Sequence, residues 1–278
     1  MKKLLTVLMI AMMLLGMVAC GSKETAKKDR LAEIKERGYI EFTTEPYWAP
    51  NEFIDPSKSG DDKYIGVDIE LAKVIADRIG VELRIIPLEF SAVLTSITEG
   101  KYDMAISAIA WSPLREEAMN LSKGYEFDED TGYGFLVRIG DEDKYNSPES
   151  LKDAVVVTQS GSVQEGIYKQ YVKECKELKM VGSMTDAYLA VSEGKADVCI
   201  TAISSGQLYA EANGGLTTCD FEFDVDKQMK STVVALPLEG TDSLMEIVNE
   251  VIGELETAGQ FKAWSDYYKE YAKTLGLE

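Results

Sequence analysis

The 278 residues carry 48 acidic and 29 basic side chains, a formal charge of −19, with 45% hydrophobic residues and no histidine. Length and apolar content allow one large or two modest domains, at roughly 100–200 residues each, while the missing histidine excludes Ser-His-Asp and Cys-His catalysis, a His-ligated metal and a histidine pH switch. The acidic excess, without clustered Lys and Arg, argues against nucleic acid and against anionic lipid as partners, so any membrane association is expected through a covalent anchor.

The chain opens with Lys2 and Lys3 followed by an apolar run from Leu4 to Ala19, shorter than the roughly 20 residues a spanning helix needs. The run ends in Met17-Val18-Ala19-Cys20-Gly21, which resembles a bacterial lipoprotein signal with Cys20 as the acylated residue, although Met17 stands where Leu is usual. Residues 1–19 are therefore expected to be a signal peptide and 20–30, polar and charged from Ser22 to Asp29, a tether, placing the globular part outside the cytoplasmic membrane and held there by lipid. The alternative is a buried membrane or core helix with a chance cysteine.

From Leu31, short β-branched runs alternate with helical patterns. Ile40–Thr44 reads as a strand; Val67, Leu71, Val74, Ile75 and Ile79 recur at helical spacing and stop at Gly80; Glu82–Ile86 is strand-like, Ala92–Glu99 helical, and Met104–Ile109 a third strand. This order predicts a parallel sheet with helical crossovers. After the polar stretch Asp141–Ser147 the series repeats: strand Val155–Thr158, helix Val163–Cys175, strand Met180–Val181, helix Thr185–Glu193 and strand Val198–Thr201. A strand at Thr232–Leu236 and helices over Ser243–Glu256 and Phe261–Lys273 close the chain, with Gly132–Val137 and Lys230–Val234 as candidate crossing strands. Two tandem α/β units predict two lobes around a hinged cleft. Cys199 lies in an apolar run and reads as a buried hydrophobe; a Cys175–Cys219 disulfide is not expected from spacing alone.

Four segments carry candidate chemistry. Glu45-Pro46-Tyr47-Trp48-Ala49-Pro50 follows the first strand at its carboxyl end, where open α/β sheets bind ligands, and Trp48 there, with Phe90 at the next strand end, could enclose a small apolar or cationic group. Core packing is the competing reading for both aromatics. In Ser107-Ala108-Ile109-Ala110-Trp111-Ser112-Pro113-Leu114-Arg115, Ser112 reads as an N-cap before a helical proline and Arg115 as a carboxylate clamp in the first turn; pairing of Arg115 with Glu116 or Glu117 is the competing reading. Ser160-Gly161-Ser162-Val163-Gln164 repeats that logic in the second unit, so two helix starts could converge on one anion. Acid pairs such as Asp61 with Asp62 and Asp128 with Asp130 read as solvated loops, and no catalytic set or metal site completes itself.

Several blocks resemble the polar amino-acid-binding proteins of ABC importers, extracellular solute-binding family 3: Gly66-Val67-Asp68-Ile69-Glu70-Leu71-Ala72, Gly100-Lys101-Tyr102-Asp103, Ser112-Pro113-Leu114-Arg115, Gly161-Ser162-Val163-Gln164-Glu165, and Gly259-Gln260-Phe261-Lys262 with Trp264. The resemblance, running in order from about Leu31 to Gly276, implies a type II periplasmic-binding-protein-like α/β fold, with lobe one at 31–133 plus 232–278 and lobe two at 134–231. By the same likeness Arg115, Ser112 and the N–H groups of Ala110, Ser162 and Val163 would hold a ligand carboxylate. Trp48 and Phe90 would enclose its side chain, and Glu45, Ser107 and Gln159 would line the pocket.

The chain departs from the family where an Asp usually pairs with the ligand ammonium: that position is Ala202, and a frequent hydroxyl partner is replaced by Ala108. A buried ammonium without counter-charge would cost several kcal/mol. Either Glu45 or Glu52 supplies the charge, or the ligand nitrogen is substituted, ring-bound, quaternary or absent. The resemblance thus implies a monomeric, cofactor-free, non-enzymatic lipoprotein that hands a small carboxylate ligand to an ABC permease. The alternatives are a dehydratase-like enzyme using Glu45 as acid and a ligand-sensing module.

Overall fold

The computed structural model describes residues 29–125 and 132–276. The leader, Cys20, the tether up to residue 28, and the pair Asp128 and Asp130 lie outside them. In chain order come α1 (Arg30–Arg37), β1 (Tyr39–Thr44), a hairpin of β2 (Phe53–Ile54) and β3 (Tyr64–Ile65), α2 (Val67–Ile79), β4 (Glu82–Pro87), α3 (Phe90–Thr98), β5 (Met104–Ala105), α4 (Pro113–Ala118) and β6 (Met119–Leu121). The second lobe holds β7 (Tyr133–Arg138), β8 (Val155–Gln159), α5 (Val163–Tyr171), β9 (Glu177–Val181), α6 (Met184–Ser192), β10 (Val198–Ala202), α7 (Ile203–Asn213) and β11 (Leu216–Glu222); β12 (Ala235–Pro237), α8 (Asp242–Thr257) and α9 (Gln260–Leu275) return to the first. No helix among the described residues is long and apolar enough to cross a membrane.

Each lobe is built on one five-stranded sheet. The first runs β4-β1-β5-β12-β6 and the second β11-β7-β10-β8-β9. β1 pairs in parallel with β4 and β5, and β8 with β9 and β10, because each step crosses over through a helix; β12 and β7 run antiparallel to their neighbours. The pattern that forms α2 also packs it: Val67, Ile69, Leu71, Ala72, Ile75 and Ala76 are buried against the first sheet with Ile40, Phe42 and Leu236. Each large aliphatic side chain so buried contributes about 1.5–3 kcal/mol, and Gly80 stops the helix in a left-handed cap that a side chain would strain.

The architecture is the two-lobed α/β fold expected, with local differences. β5 ends at Ala105 rather than Ile109, because the chain leaves the sheet and turns at Ala108, whose φ is 42°. α5 ends at Tyr171, and Val172 turns extended and buries its side chain in the second-lobe core. Lys230–Val234 is no strand: Lys230 closes a short 3₁₀ turn and Thr232 forms isolated bridges to Ala110 and Tyr125. α1, the hairpin, β6, α7 and β11 are elements without an expected counterpart. Cys175, Cys199 and Cys219 are free thiols, and Cys199 is fully buried in β10.

Candidate functional site

The two lobes meet over a cavity of about 860 Å³ at the carboxyl ends of β1, β8 and β10. Glu45, Trp48, Glu52, Phe90, Ser107, Ala108, Ala110, Arg115, Gln159, Ser162, Val163 and Ala202 all line it. Ser112 does not. Its hydroxyl accepts the Arg115 N–H at 3.4 Å as the N-cap of α4, so the expected contact between Ser112 and a ligand carboxylate is corrected: Ser112 sets the start of the helix, and Arg115 alone of that turn reaches the cavity.

Arg115 is 7% exposed, with its guanidinium 5.5 Å from the centre of the Phe90 ring. It donates to the Ala110 carbonyl in the first lobe and to the Gly161 carbonyl in the second, the latter at 3.0 Å. Among the described residues it has no carboxylate partner, and burial pulls it down to about 10. A desolvated cation held by carbonyls alone is short of its counter-ion, which an entering carboxylate would supply. Backbone donors lie around it. Trp111 N–H to Ser231 O (3.0 Å) and Val233 N–H to Ile109 O (2.8 Å) bracket the Ala110–Thr232 bridge, so the polar groups of Ala110 point away from Thr232. Val163 opens α5, where helix geometry leaves its N–H unused. The N–H of Ser162, expected to face the ligand, instead donates to Gln159 O at 3.3 Å, and its hydroxyl caps Glu165 N–H.

Glu45 is the acid of the cavity. It is 4% exposed, and both its carboxylate oxygens accept from Gln159 Nε2 at 3.0 Å, across the cleft; the same nitrogen donates to Gly182 O at 2.9 Å. Burial, reinforced by the charges of Glu89 and Asp186, pushes its carboxyl up to about 7 despite the Gln159 hydrogen bond. Glu52 is more deeply enclosed, and burial beside Asp68 raises it well above the usual carboxylate range.

Phe90 packs into the first-lobe core with Val93 and Ile97 while also lining the cavity, and Trp48 packs against the second-lobe cluster around Met184 and Tyr188. The two readings of these aromatics are thus compatible. Gly161, with φ of 77°, would place a Cβ 3.4 Å from the Ser91 backbone, so this turn both needs a left-handed residue and lies against the other lobe. Lining residues beyond those anticipated include Tyr133, Gln164, Met184, Ser204, Ser205 and Leu208. Ser204 and Ser205 follow Ala202 at the start of α7, and the strand end there was the available signal.

A family model of bacterial extracellular solute-binding proteins, family 3, matches residues 40–271. The L-cystine-binding protein TcyJ of Escherichia coli strain K12 is 25% identical over 88% of this chain and 87% of its own length. The structure of the amino-acid ABC transporter substrate-binding protein AbpA from Streptococcus pneumoniae Canada MDR_19A, bound to L-arginine, superposes with a TM-score of 0.78 at 27% identity, covering 89% of this chain and 99% of that one. The membrane-bound lytic murein transglycosylase F of Aeromonas salmonicida strain A449 is 30% identical over 74% of this chain but only 41% of its own length. The chain belongs to the bacterial extracellular solute-binding proteins, family 3.

Proposed function

We propose that this chain is the extracytoplasmic, lipid-anchored substrate-binding component of an ABC importer, acting as a monomer that closes over a small amino-acid-like carboxylate carrying a cationic nitrogen and delivers it to a membrane permease. The observation that carries the reading is Arg115, desolvated between carbonyls of both lobes and without an anionic partner among the described residues. The ligand carboxylate completes that site, with Val163 N–H as a further donor. Glu45 takes the role of the Asp absent at Ala202, since it lines the same cavity and is held by Gln159 from the opposite lobe. A ligand touching both lobes stabilises the closed state by differential affinity. N-substituted and cyclic amino-acid derivatives remain within the class, because Ala202 leaves the side where an Asp would stand uncharged.

The test is a thermal-shift screen of the mature domain against the twenty amino acids and their N-acyl, cyclic and betaine relatives. A tight ligand raises the midpoint by mass action; a shift by at least one carboxylate with a cationic nitrogen is expected, and no shift by any carboxylate overturns the reading. A second reading, an acid-catalysed reaction at Glu45, is favoured by a carboxyl near 7, where an acid can both hold and give up its proton. It requires that the bound compound be recovered chemically changed, which mass spectrometry of the released ligand decides.

A further inference from the structure

From the cavity wall at Ser107 and Glu52 a line of buried side chains that the carboxylate site does not use runs into the first lobe. Ser107 Oγ accepts the Glu45 N–H at 2.9 Å and donates its own hydrogen to Glu52 Oε1 at 3.0 Å. Glu52 in turn contacts Asp68, in the first turn of α2. Both acids are buried, 1% and 0% exposed. The loop carrying Glu52 comes this close because Gly66 has φ of 128° and a Cβ there would lie 2.1 Å from the Asn51 carbonyl oxygen.

The donors around the pair are distributed unequally. Asp68 Oδ1 accepts from the Tyr125 hydroxyl at 2.8 Å, Oδ2 accepts from Ala108 N–H at 2.7 Å, and the Asn51 side chain bonds it as well. Glu52 Oε2, fully enclosed, meets no donor. Neither acid is paired with Lys or Arg among the described residues; the ionisable groups acting on Glu52 are Asp68 and Glu45, both acids. Two ionised carboxylates in contact would set oxygen against oxygen with no hydrogen between them and leave Oε2 without a donor. One proton on Glu52 Oε2, donated to Asp68, satisfies every polar atom of the group.

We propose that Glu52 is a buried neutral acid that serves as a positioning residue for Ser107. With its hydrogen committed to Glu52, the Ser107 hydroxyl has only a lone pair left for the cavity. Resting on the function proposed above, this narrows the ligand: its nitrogen faces the acceptors of Glu45 and Ser107 and must bring N–H hydrogens of its own, as a primary or secondary ammonium or a guanidinium does and a quaternary ammonium does not. It also makes Glu45, not Glu52, the counter-charge.

Glu52→Gln separates these cases, because the glutamine amide reproduces a protonated acid: its oxygen accepts from Ser107 and its nitrogen donates to Asp68. Infrared spectra of the ligand-free protein at pH 8.5, recorded in a Glu45→Gln background, should contain a carboxylic-acid carbonyl band that the further Glu52→Gln change removes. Absence of the band before that change, or its persistence after it, overturns the inference. With L-arginine as probe, Glu52→Gln should retain most of the affinity that Glu52→Leu loses, because only the glutamine keeps an acceptor for the Ser107 hydroxyl; equal losses of 30-fold or more in both variants would show a counter-charge at Glu52 and overturn the inference. Failure of wild type to bind L-arginine counts against that ligand only, since the infrared result decides the protonation of Glu52 by itself.

Discussion

Replacing Glu45 by Gln should change how both stability and binding depend on pH. In the folded, ligand-free protein the Glu45 carboxyl is raised from 4.5 to about 7, which at about 1.4 kcal/mol per pH unit sets the ionised form back by about 3 kcal/mol. A group raised on folding contributes stability that is complete below its unfolded pKa and is lost as pH rises through the folded one. Wild type should therefore lose about 3 kcal/mol relative to Glu45→Gln between pH 4.5 and pH 8, roughly 6–12 °C in midpoint at about 2–4 °C per kcal/mol. Binding has the opposite slope. A cationic ligand needs the ionised form, so affinity should fall about tenfold per pH unit below 7, reaching about 100-fold weaker at pH 5 than at pH 8. Scanning calorimetry of both proteins across this range, with isothermal titration of a cationic carboxylate from the screen, reads both effects. Parallel stability curves for wild type and Glu45→Gln, or an affinity flat from pH 5 to 8, would refute the assignment of Glu45 as counter-charge.

Arg115→Met should weaken carboxylate binding by at least about 30-fold, the lower end of 2–5 kcal/mol for truncating one partner of a buried charge pair, while the ligand-free midpoint stays level or rises because an unpaired buried cation is gone; calorimetry with and without ligand separates the two. Ser112→Ala should cost about 1 kcal/mol in urea unfolding through the lost N-cap yet leave affinity within about threefold, since Ser112 does not line the cavity. Gly161→Ala forces a side chain into φ of 77° beside Ser91 and should cost about 1–2 kcal/mol in the same assay. In a variant lacking Cys20, thiol titration of the native protein should detect Cys175 first, with Cys199 and Cys219 reacting only on unfolding, because burial raises both thiols and withholds their thiolates.

What could be read from the chain alone follows from how local each determinant is. α2 matched its expected bounds because a helical stripe from Val67 to Ile79 and a stop at Gly80 lie in one window. Ser112-Pro113 announced the start of α4 for the same reason. α7 escaped because only Gly206 and Tyr209 of its eleven residues are buried, leaving no periodic face, and the β2–β3 hairpin because two-residue strands carry no alternation. The left-handed Ala108 is imposed from a distance: Asp68, forty residues earlier, captures its N–H. At the site, residue types pointed to Arg115, Glu45 and Gln159, but which of Glu45 and Glu52 faces a ligand is a matter of depth. That depth is set by Gly66, Asn51 and Tyr125, which no spacing connects.

The claim at the centre is that Arg115 and Glu45 recognise the two charges of one small ligand. Its most direct test compares, on wild type and Arg115→Met stripped of ligand, the thermal shift from each carboxylate that scores in the screen with that from the matching carboxamide. Wild type is expected to respond to the acid and not the amide, and Arg115→Met to neither. An equal response to acid and amide by wild type, or an undiminished response to the acid by Arg115→Met, would contradict it.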